Sequence, residues 1–171
     1  SVPRRQCITP DVPWEGSVNE GPYVFKRGGI YYMLYSGNGA DTADYGVGAA
    51  WAAHPLGPWT KQPAPYNPVF ARNDAIGLWG PGHGSPLIGP DGVSDWYVYH
   101  HKVSSDRGWH RLLALDRLES VPRTGGPGLV WMSSGGTTAP TPAPRLPFAF
   151  SVFDGGRLPP GFHIESGSWI V

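Results

Sequence analysis

Almost nowhere in this chain do apolar residues recur at the spacing of an amphipathic helix. Its apolar stretches are short, rich in β-branched or aromatic residues, and bounded by Gly, Pro, Asn or Asp. Gly (25) and Pro (20) supply a share of the 171 residues at which disorder has to be considered. The 8 Trp, 8 Tyr and 6 Phe are too many for a disordered chain. The sequence therefore predicts an all-β fold of short strands joined by many turns.

The first part of the chain predicts a four-stranded antiparallel unit. Two aromatic-rich segments flank Gly28-Gly29, a pair that supplies the positive φ angles of a tight hairpin turn. A third and a short fourth strand follow the hairpin. The four predicted strands span residues 23–27, 30–35, 45–53 and 58–61. A unit of about 40 residues with this order is the size of one propeller blade.

A second unit repeats the order of the first, with little residue identity. Its predicted strands are 83–88, 95–100 and 111–115, and Gly89-Pro90-Asp91-Gly92 forms a turn between the first two. We therefore expect residues 1–130 to form about two blades of a partial β-propeller. Residues 131–146 are rich in Pro, Ser and Thr and predict an extended linker. Residues 147–171 return to strand character but are too few to bury a core of their own.

Charge and composition limit the partners. Lys plus Arg (13) balance Asp plus Glu (13), which argues against nucleic acid and against an anionic membrane surface. No apolar run approaches the length of a membrane span, and no apolar leader is present. The single Cys7 excludes an internal disulfide framework and a thiolate metal cluster. A neutral carbohydrate ligand fits this composition, because aromatic faces pack on sugar rings; we expect a secreted or periplasmic protein rather than a cytoplasmic one.

Glu20 is the acid best placed to act as a proton donor. A donor of this kind needs a desolvated position that keeps its proton near neutral pH. Glu20 lies where a predicted strand opens from a loop, and Trp14 and Tyr23 are close enough in sequence to supply apolar surroundings. Pro22 is expected to hold Gly21 in an extended conformation. The alternative is a solvated carboxylate at the start of a strand.

Two motifs resemble glycoside hydrolase family 43, whose members are five-bladed propellers of the arabinofuranosidase and xylosidase type. The first is Trp-Glu-Gly-Ser-Val-Asn-Glu-Gly-Pro-Tyr at residues 14–23, followed by Tyr-Tyr-Met-Leu-Tyr-Ser at 31–36. The second is Gly-Pro-Gly-His-Gly-Ser at 80–85, followed by Trp-Tyr-Val-Tyr-His at 96–100. The resemblance covers about residues 8–118. Residues 148–169 more weakly resemble the opening strands of a β-sandwich module that is often appended to such hydrolases.

The resemblance implies roles for single residues. Glu20 matches the general acid, and His83 matches a histidine on the propeller axis that binds a metal ion, such as calcium, or an ordered water. The alternative for His83 is a hydrogen-bonded residue in a tight loop. The resemblance also implies that the reaction requires no cofactor. Arg111 matches an arginine that reaches the sugar; the alternative is an exposed arginine on a strand. Trp79 is either a platform for the sugar or part of the hydrophobic core. His100, His101 and His110 show no ligand spacing.

The family inverts configuration, and its general base and a further Asp that tunes the donor lie upstream of the acid. Asp11 and Glu15 are the only acids that precede Glu20, and neither has the context of a first blade. We therefore expect a monomer of this chain to hydrolyse little or nothing. It is a truncated product, a fragment whose partner supplies the missing N-terminal blades, or a half-propeller that forms a homo-oligomer through its open edges. The rival functions are a non-catalytic carbohydrate-binding propeller and an inactive structural fragment.

Overall fold

Two four-stranded antiparallel sheets form the protein, and in each sheet the strands lie side by side in chain order. A computed structural model describes residues 6–90 and 92–132. The first sheet contains β1 (Asn19–Arg27), β2 (Ile30–Gly37), β3 (Gly46–Ala52) and β4 (Thr60–Lys61). The second contains β5 (Trp79–Ile88), β6 (Asp95–Lys102), β7 (Arg111–Val121) and β8 (Leu129–Met132). The prediction of an all-β partial propeller with two four-stranded blades is confirmed.

The turn between β1 and β2 follows the Gly-Gly signal. Gly28 and Gly29 have φ angles of +56° and +84°, and Arg27 pairs with Ile30 across the turn. A left-handed backbone is costly for a residue with a Cβ atom, so two consecutive glycines fix this turn and the register that follows from it. Elsewhere the described chain has only two short 3₁₀ helices, at Pro13–Glu15 and Asp74–Ile76. In residues 6–90 and 92–132, no helix has the length and apolar character required to cross a bilayer.

The main hydrophobic core lies between the two sheets. Tyr32 and Leu34 of β2 point into it, while Met33 and Tyr35 point to the opposite face, as the two-residue period of a strand requires. Phe70, in the connection between the sheets, meets Tyr99 of β6 edge to face with ring centroids 4.7 Å apart. The buried members of this core are Tyr32, Leu34, Val47, Ala49, Val69, Phe70, Leu78, Tyr97, Tyr99, Ala114, Leu118, Val130 and Met132. This packing brings β1 and β5, the first strands of the two sheets, into contact.

A buried ion pair fastens the segment before β1 to the outer face of the first sheet. The Glu15 side chain is 0% exposed, and its Oε2 lies 2.7 Å from Lys61 Nζ. Tyr35 donates a hydrogen bond of 2.7 Å to Glu15 Oε1, and the backbone N–H of Asp11 donates to Oε2. Lys61 Nζ also lies 2.6 Å from Asp11 Oδ1. Both acids that precede Glu20 are therefore engaged in this network, which joins three parts of the first blade.

β8 ends at Met132, so the blade includes Trp131 and Met132, which the composition assigned to the linker. The strand pairs with the end of β7, from Leu118–Met132 to Val121–Leu129. Leu129, Val130 and Met132 are buried, and Trp131 is 40% exposed. The rest of the predicted linker and the predicted β-sandwich strands lie outside the described residues.

Candidate active site

Glu20 stands at a β-bulge near the start of β1. It pairs with Ser36 of β2, and the register then shifts so that Tyr23 pairs with Leu34. Gly21 has a φ angle of +55°, so the expectation that Pro22 holds it extended is wrong. One type of bulge places a glycine in a left-handed conformation, which glycine adopts without a steric cost, and a bulge changes the direction of the neighbouring side chain. The Glu-Gly-Pro sequence therefore sets the direction in which the Glu20 carboxylate points.

The hydroxyl of Tyr45 holds the Glu20 carboxylate. It donates a hydrogen bond of 2.7 Å to Glu20 Oε1 and lies 3.3 Å from Nδ1 of His83. Tyr45 is completely buried, and this burial raises the pKa of its phenol, so the hydroxyl keeps its proton and remains a donor. Within the described part of the chain, Glu20 Oε2 has no hydrogen-bond partner. One carboxylate oxygen is thus fixed while the other is available to a ligand.

His83 comes from β5 of the second blade and faces Glu20 across the contact between the blades. Its Nδ1 lies 3.8 Å from Glu20 Oε1, and its side chain is 54% exposed. The backbone φ of His83 is +51°, an uncommon value for a residue with a side chain, and the register of β5 shifts on either side of Gly82. The His83 N–H donates a hydrogen bond of 2.8 Å to Ser36 Oγ of the first blade. Bulges on both blades thus bring Glu20 and His83 together.

His100 lies behind this pair. Its ring stacks on the Tyr45 ring at a centroid distance of 5.9 Å and lies 6.4 Å from the His83 ring. Burial lowers the pKa of His100 to about 4, and the nearby charge of Arg111 contributes in the same direction. Its buried Nδ1 has no hydrogen-bond partner among residues 6–90 and 92–132. A neutral imidazole therefore forms the back wall of the site.

The two predicted aromatic neighbours of Glu20 lie in different environments. Trp14 stacks on Tyr35 with ring centroids 6.0 Å apart and belongs to the cluster on the outer face of the first sheet. Tyr23 follows the bulge and is 39% exposed. Glu20 itself opens into a cleft of about 140 Å³ that Tyr35 and Pro22 also line. A cleft of about 620 Å³ lies instead beside Lys61 and the segment before the first blade, without Glu20 or His83.

Trp79 and Arg111 share the end of the second sheet at which β5 and β7 begin. Trp79 donates an indole hydrogen bond of 2.7 Å to Asp74 Oδ1, just before the strand. Arg111 donates a hydrogen bond of 2.7 Å to the carbonyl of Ala40 in the first blade. Arg111 is close enough to His100 to influence its charge. Contact of Trp79, Trp14, Tyr23 or Arg111 with a sugar remains a prediction.

The residues around His83 offer few ligands for a metal ion. The described ranges contain no group of three or more His, Cys, Asp or Glu side chains placed to hold a metal ion. Calcium takes six to eight oxygen ligands, whereas among the described residues Glu20 is the one acid paired with the imidazole, and its Oε1 accepts a hydrogen bond from Tyr45. The expectation of a calcium ion near His83 is therefore unsupported, and we derive no catalytic step through a metal.

Sequence reasoning missed Tyr45 and His100. Tyr45 is separated from Glu20 by 25 positions and from His83 by 38, so no local spacing reveals the contacts. His100 showed no ligand spacing, and its role in the site is to pack on a ring. A weak signal for Tyr45 was present: an aromatic residue directly before β3, on the side of the sheet where β1 also begins.

Comparison with known proteins agrees with this geometry. Residues 3–121 match the family described as "Glycosyl hydrolases family 43". A curated beta-D-galactofuranosidase of Aspergillus niger is 38% identical over 112 residues, which is 65% of this chain and 30% of that protein. An extracellular exo-alpha-(1->5)-L-arabinofuranosidase of Streptomyces chartreusis is 40% identical over 106 residues, which is 57% of this chain and 31% of that protein.

A solved structure shows the same arrangement of strands. The crystal structure of a thermostable family-43 glycoside hydrolase superposes with a TM-score of 0.71 at 37% identity, and the match covers 81% of this chain and 44% of that one. The chain thus spans less than a third of the length of the curated relatives named above. With a matching region of 119 positions (3–121) out of 171, the chain belongs to the family 43 glycosyl hydrolases.

Proposed function

We propose that Glu20 is the general acid of an inverting glycoside hydrolase that acts on arabinose- or xylose-containing plant polysaccharides or oligosaccharides. The observation that carries the proposal is the hydrogen bond from Tyr45, which fixes Oε1 of Glu20 while Oε2 has no hydrogen-bond partner among the described residues, at a residue that lines a cleft of about 140 Å³. In such a reaction the acid protonates the leaving oxygen while a second carboxylate activates water on the other face of the sugar. Oε2 is the atom from which Glu20 would deliver the proton.

His83 and His100 shape the surroundings of the acid in this proposal. The exposed His83 imidazole lies beside the carboxylate, where it can donate or accept a hydrogen bond with a sugar hydroxyl. The buried His100 stays neutral at the working pH, so it adds no positive charge that would draw the proton away from Glu20. Tyr45 contacts both histidines.

The second carboxylate has no candidate among the described residues. Glu15 is buried against Lys61, Asp95 pairs with Arg27, and Asp116 accepts a hydrogen bond from Tyr99. We propose that the base comes from blades that this chain does not contain, in a longer gene product or in a partner chain. A homo-oligomer that closes the ring with copies of the same blades is the other arrangement, and size-exclusion chromatography with light scattering separates it from a monomer.

The relatives suggest the sugar. The Streptomyces protein is named for L-arabinofuranose, and the Aspergillus protein for D-galactofuranose. An α-L-arabinofuranoside and a β-D-galactofuranoside share the configuration of the furanose ring, so one active site can accept both sugars. We propose α-L-arabinofuranosides as the first substrates to test, followed by β-xylosides and β-D-galactofuranosides. The name of the Streptomyces relative also supports a secreted location for this protein.

Hydrolysis of aryl glycosides by wild type and Glu20→Gln tests the role of the acid. The test uses the 171-residue chain and, where its gene encodes more, the full-length product. We expect the variant to lose about 10²–10⁴-fold in kcat on substrates with poor leaving groups, because protonation then limits the reaction. Activated dinitrophenyl glycosides need no proton, so their turnover should change little. Glu119→Gln, an exposed acid on β7, is the matched control.

A non-catalytic carbohydrate-binding protein is the second candidate, favoured by the lack of a second carboxylate at the site in the described chain. Binding of arabino- or xylo-oligosaccharides without any product from either form of the protein would support it. Equal activity of wild type and Glu20→Gln on poor leaving groups would contradict the acid role.

A further inference from the structure

The loop between β6 and β7 is tied firmly to the first blade. Lys102, which is 2% exposed, donates hydrogen bonds of 2.9 Å to the carbonyl of Asp41 and 2.6 Å to that of Gly108. The N–H of Gly108 donates to the same Asp41 carbonyl at 2.8 Å. Arg107 forms an ion pair of 2.6 Å with the Asp41 carboxylate. These contacts fix residues 103–110 against the loop between β2 and β3.

This fixed loop carries Trp109, which is 69% exposed. The guanidinium of Arg111 packs over the Trp109 ring, 4.7 Å from its centroid, and is itself held by the carbonyl of Ala40. The indole is thus supported on one side and open to solvent on the other. Such a platform suits the apolar C–H face of a sugar ring. Because the loop is already held in place, binding a sugar there would cost little conformational entropy of the protein.

Trp109 lies at the same end of the second sheet as the candidate active site. Lys102 pairs with Trp79 and with Arg111, so this loop follows the end of the sheet at which β5 and β7 begin. Arg111 acts on the charge of His100, and His100 stacks on Tyr45, the residue that holds Glu20. Arg111, which packs over the indole, therefore lies near the histidine that stacks behind the acid.

A groove of about 270 Å³ borders the indole, and Ser104, Asp106 and His110 also line it. Its volume is just below the range of about 300–1,000 Å³ that is usual for small-molecule sites. Hydroxyl, carboxylate and imidazole groups beside an aromatic face are the combination that a neutral sugar requires. Two cations line the groove: Arg107 is paired with the Asp41 carboxylate, and the Lys102 ammonium donates to the carbonyls of Asp41 and Gly108, so neither is left free for an acidic ligand.

We propose that Trp109 and this groove form a second sugar-binding subsite, which accepts a ring of the oligosaccharide beyond the one at Glu20. The proposal rests on the proposed function only in the identity of the ligand, a plant oligosaccharide. If Trp109 binds a second sugar ring, the β6–β7 loop determines how strongly the protein prefers longer oligosaccharides.

Binding measured by isothermal titration calorimetry tests the subsite. The proteins are Glu20→Gln, which prevents turnover, alone and combined with Trp109→Ala or Trp109→Phe. The ligands are arabinose, xylose and their oligosaccharides of increasing length. We expect Trp109→Ala to weaken binding of the longer oligosaccharides about tenfold, with no change for the monosaccharides. Trp109→Phe should keep most of the affinity, because it retains an aromatic face.

Trp131→Ala is the matched control, since Trp131 is exposed to 40% on β8, away from this loop. Equal affinity of Trp109→Ala and its parent for long oligosaccharides overturns the proposal, as does a uniform loss for mono- and oligosaccharides. Circular dichroism shows whether each variant is folded, and Trp109→Phe keeps the test decisive if Trp109→Ala unfolds. Trp109-dependent binding by an active full-length product whose hydrolysis of poor leaving groups is unchanged by Glu20→Gln would retain the subsite and reject the acid role of Glu20.

Discussion

The hydroxyl of Tyr45 lies 2.7 Å from Glu20 Oε1 and 3.3 Å from His83 Nδ1, so one buried side chain joins residues from two blades. Tyr45 is buried and bonds only Oε1, so it orients the carboxylate while the Glu20 side chain stays 38% exposed. The hydroxyl is the only polar group of the Tyr45 side chain, and it contacts the proposed acid, so Tyr45 is suited to position Glu20.

Tyr45→Phe removes this hydroxyl and keeps the ring that stacks on His100. We expect kcat on poor leaving groups to fall about 10–100-fold with little change in KM, because the acid is then free to rotate away from the leaving oxygen. Tyr66→Phe, an exposed tyrosine in the connection between the blades, is the control. Steady-state kinetics that show equal losses for good and poor leaving groups would argue against a role through Glu20.

Gly21→Ala tests the close approach of the two blades. A Cβ at residue 21 would lie 3.2 Å from atoms of the His83 ring, whereas a Cβ at Gly28 would meet nothing within 4 Å. Both glycines have nearly the same φ, +55° and +56°, so both substitutions carry a backbone cost of about 1–2 kcal/mol. Activity should fall at least ~10-fold only for Gly21→Ala. Chemical denaturation and kinetics on both variants separate the two effects, and equal activities would contradict the predicted clash.

Glu15→Ala should be strongly destabilising. It leaves the Tyr35 hydroxyl without its acceptor and Lys61 with only the exposed Asp11 as an acidic partner, so we expect a loss at or below the lower end of the range of about 3–5 kcal/mol for breaking a buried ion pair. Urea denaturation measures the change in the free energy of unfolding. Arg72→Ala removes exposed ion pairs with Asp44 and Asp74 and should change the midpoint little. A loss for Glu15→Ala no larger than that for Arg72→Ala would show that the network contributes nothing to folding.

Stability should fall as the pH is lowered from 6.5 to about 4, in part because of His100. Its pKa in the folded protein is lowered from 6.5 to about 4, so in this window the unfolded chain binds a proton that the folded one excludes. The contribution of neutral His100 is fully present above pH 6.5 and is lost towards pH 4. His100→Gln should flatten this part of the pH profile of unfolding, whereas His54→Gln, at an exposed position, should not. Parallel profiles for wild type and His100→Gln would refute the prediction.

The strands of the first blade follow from the sequence because their signals are local. The Gly28-Gly29 turn fixes the register of the hairpin next to it without information from the rest of the chain. β8 was not predicted as a strand because Leu129–Met132 is only four residues long and runs directly into a Ser/Gly/Thr-rich stretch. Its place is determined by pairing with β7 and by the core that Val130 and Met132 complete.

The site was predictable to the extent that its residues lie in motifs. Glu20 and His83 were identified from the motifs that contain them, and the structure places them 3.8 Å apart. Gly21 shows the limit of a local rule. A residue before proline usually has an extended backbone, but the bulge in β1 places Gly21 in the left-handed region, with a φ angle of +55°. The contacts of Tyr45 and His100 depend on how two sheets pack, which no segment of the sequence contains alone.

The division of the site between two sheets has a consequence for how such proteins can change. The acid belongs to one blade and the imidazole to the other, and the core packed between the two sheets holds the blades at the distance that brings them together. A single blade transplanted from a relative would bring only half of that core with it. Functional chimeras of this chain should therefore require exchange of both blades as a unit, with their shared filling intact.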